Sequence, residues 1–402
     1  MNHRPLHVAI NAQLVSFEKG ARNSGISRAT YALLESLSRR DGADQRYTAF
    51  INAAQAQAAR ADALAEAGER LRLVPAGSAT SSPPRRILWE QLALPRALRR
   101  AGADVFHAPV NVLPAARLPC PAVVTVHDLA FIHYPQYFRP ARRVYQRIFT
   151  RRSARAATLI VAVSESTRRD LVEQFGVPPE RVRVVYSGIE PDFAPIADPA
   201  RLSAFRARQR LPERYLLFVG TLEPRKNLLG LVEAYAMLRT LDPQTPQLII
   251  AGGKGWYYQA VFDRVRALNL EPHITFAGYI AREDQPLWYS GADLFVYPSA
   301  YEGFGLPVAE ALACGTPTLT SNVSSLPEAG GPVAVQVAPD NPGEMAHALQ
   351  RMLADPIVRQ RTAVEGPRWT QRFSMERMAA GYAAIYQEAA DHAGGGSGRR
   401  GR

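Results

Sequence analysis

The sequence predicts an α/β protein built from two doubly wound parallel-sheet domains in series, and three observations carry that expectation. The chain has 402 residues, enough for two domains at roughly 100–200 residues each. Short apolar runs rich in β-branched residues alternate with longer helical stretches, as in buried parallel strands joined by βαβ crossovers. The pattern occurs twice, before and after the proline-rich stretch 191–199 (PDFAPIADP), which reads as a linker.

The elements follow in order. In the first half, strands are expected at 6–10, 47–51, 105–107, 122–126, 159–163 and 182–186. Helices are expected between them at 26–39, 53–67, 87–100, 141–156 and 166–174. In the second half, strands are expected at 215–219, 247–251, 274–277, 294–297, 317–320 and 333–337, with helices at 228–239, 257–267, 285–290, 307–313, 343–354 and 375–390. Runs such as LIVAV and YLLFV are apolar at every position, as strands buried on both faces require. The domains are expected at 1–195 and 196–374, with the helix 375–392 returning to the first domain. The Gly-rich basic tail 393–402 is expected to be disordered.

Composition narrows the function. Apolar residues make up 47% and charged residues 21%, ordinary globular values that exclude a disordered or fibrous chain. Cys120 and Cys314 are the only cysteines, too few for a disulfide framework or a cysteine-based zinc site. With no membrane-length apolar stretch and no apolar leader, a cytoplasmic location is expected. Residues 1–195 hold 27 Lys+Arg against 16 Asp+Glu, whereas 196–402 hold 21 against 20. That asymmetry points to an anionic partner for the first half. The segments 139–155, with seven arginines and no acid, and 85–100, with five arginines and one glutamate, fit an anionic membrane surface. Nucleic acid is disfavoured, because no binding motif or repeated aromatic platform accompanies them.

Two motifs carry chemistry. In 297–310 (YPSAYEGFGLPVAE) a strand ends at Tyr297, a loop with two glycines follows, and Pro307 is placed at a helix start. Glycines allow close approach of the backbone, and N–H groups at the helix start suit a phosphate. Glu302 and Glu310 flank that turn, positioned for the hydroxyls of two sugars. The second motif, 218–227 (FVGTLEPRKN), is again a strand end entering a helix. It places Arg225 and Lys226, the latter one of only three lysines, where they suit a diphosphate.

GTLEPRKN, DLFVYPSAYEGFGLPVAEALACGTP and SSLPEAGG together resemble family 4 of the retaining glycosyltransferases, as do SGISRATYALLESL and TVHDLAF nearer the N-terminus. The resemblance covers about residues 6–390 and implies the GT-B fold, two Rossmann-like domains facing a central cleft. It implies that Glu310 binds the nucleotide ribose and Glu302 the transferred sugar. Gly303, Phe304, Gly305 and Leu306 would contact sugar and phosphate through backbone N–H groups, with Gly220 also at the donor. Arg225 and Lys226 would hold the diphosphate, His127 would lie near the transferred sugar, and the loop ending at Gly25 would close over phosphate or acceptor. Thr221 stands where many members carry Arg, which shifts the phosphate burden onto Arg225 and Lys226.

The implied reaction moves a hexose from a nucleotide diphosphate sugar to a glycan or a polyprenyl-diphosphate-linked acceptor in surface polysaccharide assembly. Mannose or rhamnose is favoured, as is a GDP-sugar. No cofactor or metal is expected, since D-x-D is missing and the cations and helix start can stabilise the leaving diphosphate. A nucleotide-sugar epimerase on the same fold, or a non-catalytic scaffold at the membrane, are the alternatives. A dinucleotide-dependent oxidoreductase is disfavoured, as no G-x-G-x-x-G follows the first strand.

Overall fold

The computed structural model describes residues 4–17, 25–40, 44–60, 64, 70–77 and 82–397. Strands β1 (Leu6–Ala12), β2 (Gln45–Asn52), β3 (Leu71–Ala76), β4 (Val105–Ala108), β5 (Ala122–Val126), β6 (Leu159–Ala162) and β7 (Val182–Val184) form one sheet in the order β3-β2-β1-β4-β5-β6-β7. Strands β8 (Tyr215–Val219), β9 (Gln247–Ala251), β10 (Ile274–Gly278), β11 (Leu294–Tyr297), β12 (Thr318–Ser321) and β13 (Val335–Val337) form a second, ordered β10-β9-β8-β11-β12-β13. Every pairing is parallel. Each sheet therefore reverses its strand order once, between β1 and β4 and between β8 and β11. Crevices at the carboxyl ends of such neighbours are where doubly wound sheets bind ligands.

The chain divides into two units, Met1–Gly188 with Met375–Arg402, and Ile189–Ser374. The change of unit thus comes at Gly188–Ile189, and the stretch 191–199 falls inside the second unit. The last helix, Met375–Ser397, completes the core of the first, where Met378, Tyr382, Ile385 and Tyr386 pack with Val8, Ile10, Leu34 and Val123. A buried polar chain pins it there. The Tyr386 hydroxyl lies 2.8 Å from His107 Nδ1, His107 Nε2 lies 2.9 Å from Thr125 Oγ1, and Thr125 Oγ1 lies 3.1 Å from the Tyr382 hydroxyl. Burial, helped by nearby His127, pushes the His107 pKa down to about 3, so this imidazole is neutral.

Several local expectations are corrected. Of the helix expected at 53–67, Ala53–Gln55 form a 3₁₀ turn and Ala56–Arg60 an α-helix, and 61–63 and 65–69 lie outside the described residues. Strand β3 was not foreseen, because Pro75 interrupts its apolar run. A proline is tolerated there because β3 is the sheet edge. The helix expected at 87–100 is two, Pro83–Leu92 and Leu94–Ala101. Pro95 has no N–H to bond back and its ring clashes with the preceding turn, which breaks the run. Helices Pro199–Gln209 and Pro356–Thr370 were also missed. Each begins with proline behind an aspartate whose side chain accepts N–H groups of the first turn, Asp198 and Asp355. The final helix continues to Ser397, into the stretch expected to be disordered, since an established helix gains a hydrogen bond for each residue it adds. Residues 398–402 lie outside the described residues.

Candidate functional site

The second unit gathers charge at the point where its sheet reverses order. The loop leaving β8 is zipped to the loop leaving β9: Gly220 N–H donates to Ala251 O at 2.9 Å, Leu222 N–H to Gly253 O at 2.9 Å and Gly255 N–H to Leu222 O at 3.1 Å. Gly252 permits this approach. Its φ is +150°, and a Cβ there would stand 1.8 Å from Gly220 O. The β8 loop then makes a single 3₁₀ turn, Pro224–Lys226, closed by Asn227 in the left-handed region (φ 56°). That turn delivers Arg225 and Lys226 to the carboxyl edge of β8.

From the neighbouring β11, the loop 298–305 brings Glu302 to the same place. Lys226 Nζ donates to Glu302 Oε1 at 2.5 Å and to the Tyr297 hydroxyl at 2.7 Å. Arg225 Nη1 donates to Glu302 Oε2 at 2.8 Å, and its Nη2 to Glu223 Oε1 at 2.6 Å. The Ser299 and Tyr297 hydroxyls complete the shell, donating to Glu302 Oε1 at 2.7 and 3.0 Å. The backbone of Glu302 is clamped as well. Its N–H donates to Ser324 Oγ at 2.9 Å, and Ser325 Oγ donates to its carbonyl at 2.9 Å. These two serines open the SSLPEAGG segment, which gives that motif a physical role.

The electrostatics follow from burial. Glu302 is only 8% exposed. Burial alone would raise its pKa, but Arg225 and Lys226 overcome that and hold it at about 2. Burial lowers the Lys226 pKa, Arg225 beside it lowers it further, and Glu302 and Glu223 oppose both. The cluster is thus two cations against two carboxylates. Oε1 of Glu302 already accepts three donors, so a sugar hydroxyl would be left with Oε2, which Arg225 shares. The carboxylate assigned by resemblance to the transferred sugar is engaged first with the cations assigned to the diphosphate.

Glu310 sits one helix further on. The helix spans Leu306–Ala313 behind Gly305, whose φ is +100° and whose missing Cβ makes room for Leu326. Its amino end carries the positive end of the helix dipole. Pro307 is thus the second helical residue, one later than expected. The Phe304 ring packs edge-on against Phe373, with 4.9 Å between ring centroids. Glu310 is 2% exposed, and its Oε1 accepts from Arg282 Nη1 at 2.7 Å and its Oε2 from the Tyr289 hydroxyl at 3.2 Å. Arg282 also forks onto Glu190, with Nε to Oε2 at 3.1 Å and Nη2 to Oε1 at 3.0 Å.

Of the expected site residues, Arg225, Lys226 and Glu302 meet in one cluster, with Gly220 on the same β8 loop. Glu310 lies on the helix that follows Gly303–Leu306. His127 and Gly25 belong to the first unit. His127 Nε2 is 2.9 Å from Pro109 O, which makes Nε2 the protonated nitrogen. Burial lowers its pKa, so the ring is neutral. Gly25 opens the helix Gly25–Ser38, and residues 18–24 of the loop before it lie outside the described residues. Arg282 and Glu190 were missed. Glu190 lies beside the stretch read as a linker, and Arg282 has no motif spacing. Its one signal is a charged triplet, Arg282-Glu283-Asp284, in the loop after β10.

Comparison with known proteins gives the family and the fold. Residues 23–193 match the model of Glycosyltransferase Family 4, and residues 203–369 that of Glycosyl transferases group 1. The chain is 33% identical over 293 residues to the O-antigen chain mannosyltransferase B of Escherichia coli, covering 73% of this chain and 74% of that one. It is 28% identical over 249 residues to the serotype-specific mannosyltransferase WbdA of Escherichia coli, 60% of this chain but 30% of that longer protein. Among solved structures, Anabaena Alr3699/HepE in complex with UDP and glucose superposes with a TM-score of 0.72 at 19% identity, over 96% of this chain and 100% of that one. The chain belongs to glycosyltransferase family 4, with the two parallel-sheet domains of the GT-B fold.

Proposed function

We propose that this enzyme transfers mannose from GDP-mannose to a growing surface polysaccharide or its lipid-linked precursor, with retention of anomeric configuration and without a metal. The observation that carries the reading is the buried Arg225–Lys226–Glu302 cluster at the β8/β11 reversal, with Glu310 close behind in the chain. A departing nucleoside diphosphate develops negative charge, and preorganised cations held in a water-poor pocket stabilise such charge. Glu302 keeps both cations in place, and the amino end of the helix Leu306–Ala313 adds its dipole. Glu310 offers its carboxylate to the ribose hydroxyls. The preference for mannose is supported by the names of the mannosyltransferase relatives. Thermal-shift measurements with GDP, UDP, dTDP and ADP test the donor. Selective stabilisation by GDP supports the reading, and selective stabilisation by another nucleotide replaces the donor.

The acceptor side of the proposal places the first unit on an anionic membrane face. Helices Pro83–Leu92 and Pro140–Ala156 are tied through Ala115, whose N–H donates to Gln91 Oε1 at 2.5 Å and whose carbonyl accepts from Arg152 at 2.6 Å. They expose Leu88, Leu92, Val144 and Ile148, at 49–59%. Arginines 142, 143, 147, 151 and 152 are exposed on the second helix. Exposed aliphatics among arginines fit the headgroup boundary of anionic lipid. No helix among the described residues is long and apolar enough to cross a membrane.

A further inference from the structure

We infer that the second unit carries a glycan-binding groove on the open face of β9 and β10, which holds a stretch of the polymer the enzyme extends. The mannose identity of that polymer rests on the reading above. The groove itself stands apart from the donor cluster, since Arg225, Lys226, Glu302 and Glu310 do not line it. A parallel sheet ordinarily has helices over both faces. The face of β10 that carries Phe276 is covered, its ring stacked on Phe262 of the helix Gln259–Ala267 at 4.1 Å between centroids. The opposite face carries Thr275 and Ala277. Thr275 pairs in register with Ile249 of β9 and is exposed. These residues and Gln247 floor a cavity of about 370 Å³, walled by the chain 209–212, by Tyr279 and by Trp288. That volume falls within the ~300–1,000 Å³ of small-ligand sites.

The polar groups around the cavity call for a neutral, polyhydroxylated ligand. Trp288 is 2% exposed, and its indole N–H has no acceptor. A buried donor left unpaired costs about 1–3 kcal/mol, so it invites a partner that the chain does not supply. Gln247 Nε2 donates to Pro272 O at 3.1 Å, which fixes the amide plane and leaves Oε1 to accept from a ligand. The hydroxyls of Thr275 and Tyr279 and the amide of Gln209 make no hydrogen bond among the described residues. Donors and acceptors are thus mixed around one cavity, as sugar hydroxyls require, because each of them both donates and accepts. Tyr279 is 50% exposed and offers its ring to the apolar face of a sugar. Asp284 accepts from Arg208 at 2.6 Å, and Arg210 is an exposed cation on the rim. A phosphate therefore finds no buried cation there. A lipid finds no exposed aliphatic side chain, since Tyr279 is the one large apolar residue exposed among the lining residues. Holding the polymer at a second point raises the effective concentration of its growing end at the site of transfer.

The test follows the Trp288 indole N–H by proton–nitrogen NMR of the full chain, as one of four tryptophan peaks. Replacing each tryptophan in turn by Phe assigns them, by elimination if Trp288→Phe fails to fold. Mannotetraose, titrated to about 10 mM to reach weak sites, should move that peak saturably as a sugar oxygen accepts the proton. Thr275→Phe fills the groove from an exposed position on an edge strand, where an aromatic residue is tolerated. It should raise the Kd about tenfold or more, with thermal unfolding and the GDP-induced thermal shift unchanged. Tyr279→Ala should weaken binding about 3- to 10-fold, the loss of one ring contact. In turnover, Thr275→Phe should keep the initial rate on a mannobiose acceptor and yield shorter chains; chains of wild-type length overturn the holding role. Maltotetraose that saturates the peak where mannotetraose does not would uphold the groove and overturn its mannose occupant. A Trp288 peak that neither sugar moves, or that moves equally in Thr275→Phe, overturns the inference, whatever nucleotide the donor site selects. A peak that shifts with protein concentration alone assigns the groove to a second copy of the chain and overturns it too.

Discussion

Replacing Glu302 by glutamine removes an anion that touches both Arg225 and Lys226 while keeping its shape. Two short charge-assisted contacts disappear, at 2.5 Å to Lys226 Nζ and 2.8 Å to Arg225 Nη1. Each is worth about 1.5–3 kcal/mol, but Glu302 acts on the leaving group through the cations, so only part of that reaches the transition state. We expect about 2–3 kcal/mol, or roughly 30- to 150-fold, in kcat/KM for the donor. The loss should carry a pH signature. Burial and Arg225 already press the Lys226 pKa down, and Glu302 is the carboxylate bonded to it. In the variant, Lys226 gives up its proton at lower pH, and a neutral amine no longer stabilises the diphosphate. The fall of kcat/KM on the alkaline side should therefore begin nearer neutral pH in Glu302→Gln than in wild type. The assay is release of nucleoside diphosphate between pH 6 and 10, at donor concentrations well below KM. A variant within threefold of wild type, with a superimposable alkaline limb, would refute the idea that Glu302 serves the cations.

Lys226→Ala should cut turnover on the order of 10²-fold or more, and wild-type turnover should survive excess EDTA, with full recovery on adding Mg²⁺ or Mn²⁺ after a complete loss as the contrary result. Wild type should sediment with anionic vesicles and detach at high salt. Changing Arg142, Arg143, Arg151 and Arg152 to Gln should weaken that binding, and equal binding to neutral vesicles would count against it. Gly252→Ala should destabilise the second unit by about 3 kcal/mol or more, because the β8 and β9 loops must separate to admit a Cβ; an unchanged unfolding transition would show that the loops yield.

The two parallel sheets were legible because their strands are apolar throughout. Leu159–Ala162 and Tyr215–Val219 can be satisfied only by burial on both faces. β3 was illegible for the opposite reason, as an edge strand is half-exposed and tolerates Pro75. The cation cluster was legible because Arg225, Lys226 and Glu302 each sit in a short segment where a strand ends and a turn begins. Their pairing with one another was not, since 76 residues separate Lys226 from Glu302. Arg282 shows the limit most clearly. Its partners Glu190 and Glu310 lie 92 and 28 residues away, and only the tertiary fold of the second unit brings them together.

The central claim is that this site cleaves a nucleotide sugar by stabilising its leaving diphosphate and passes the hexose on with retention. It is tested most directly by incubating the enzyme with GDP-mannose, an oligomannoside acceptor and EDTA, then reading the new glycosidic linkage by proton NMR against GDP released. The account predicts GDP and glycoside in equal amounts, with the anomeric configuration of the donor preserved in the product. An inverted linkage, or GDP and free sugar released with no glycoside formed, would contradict it.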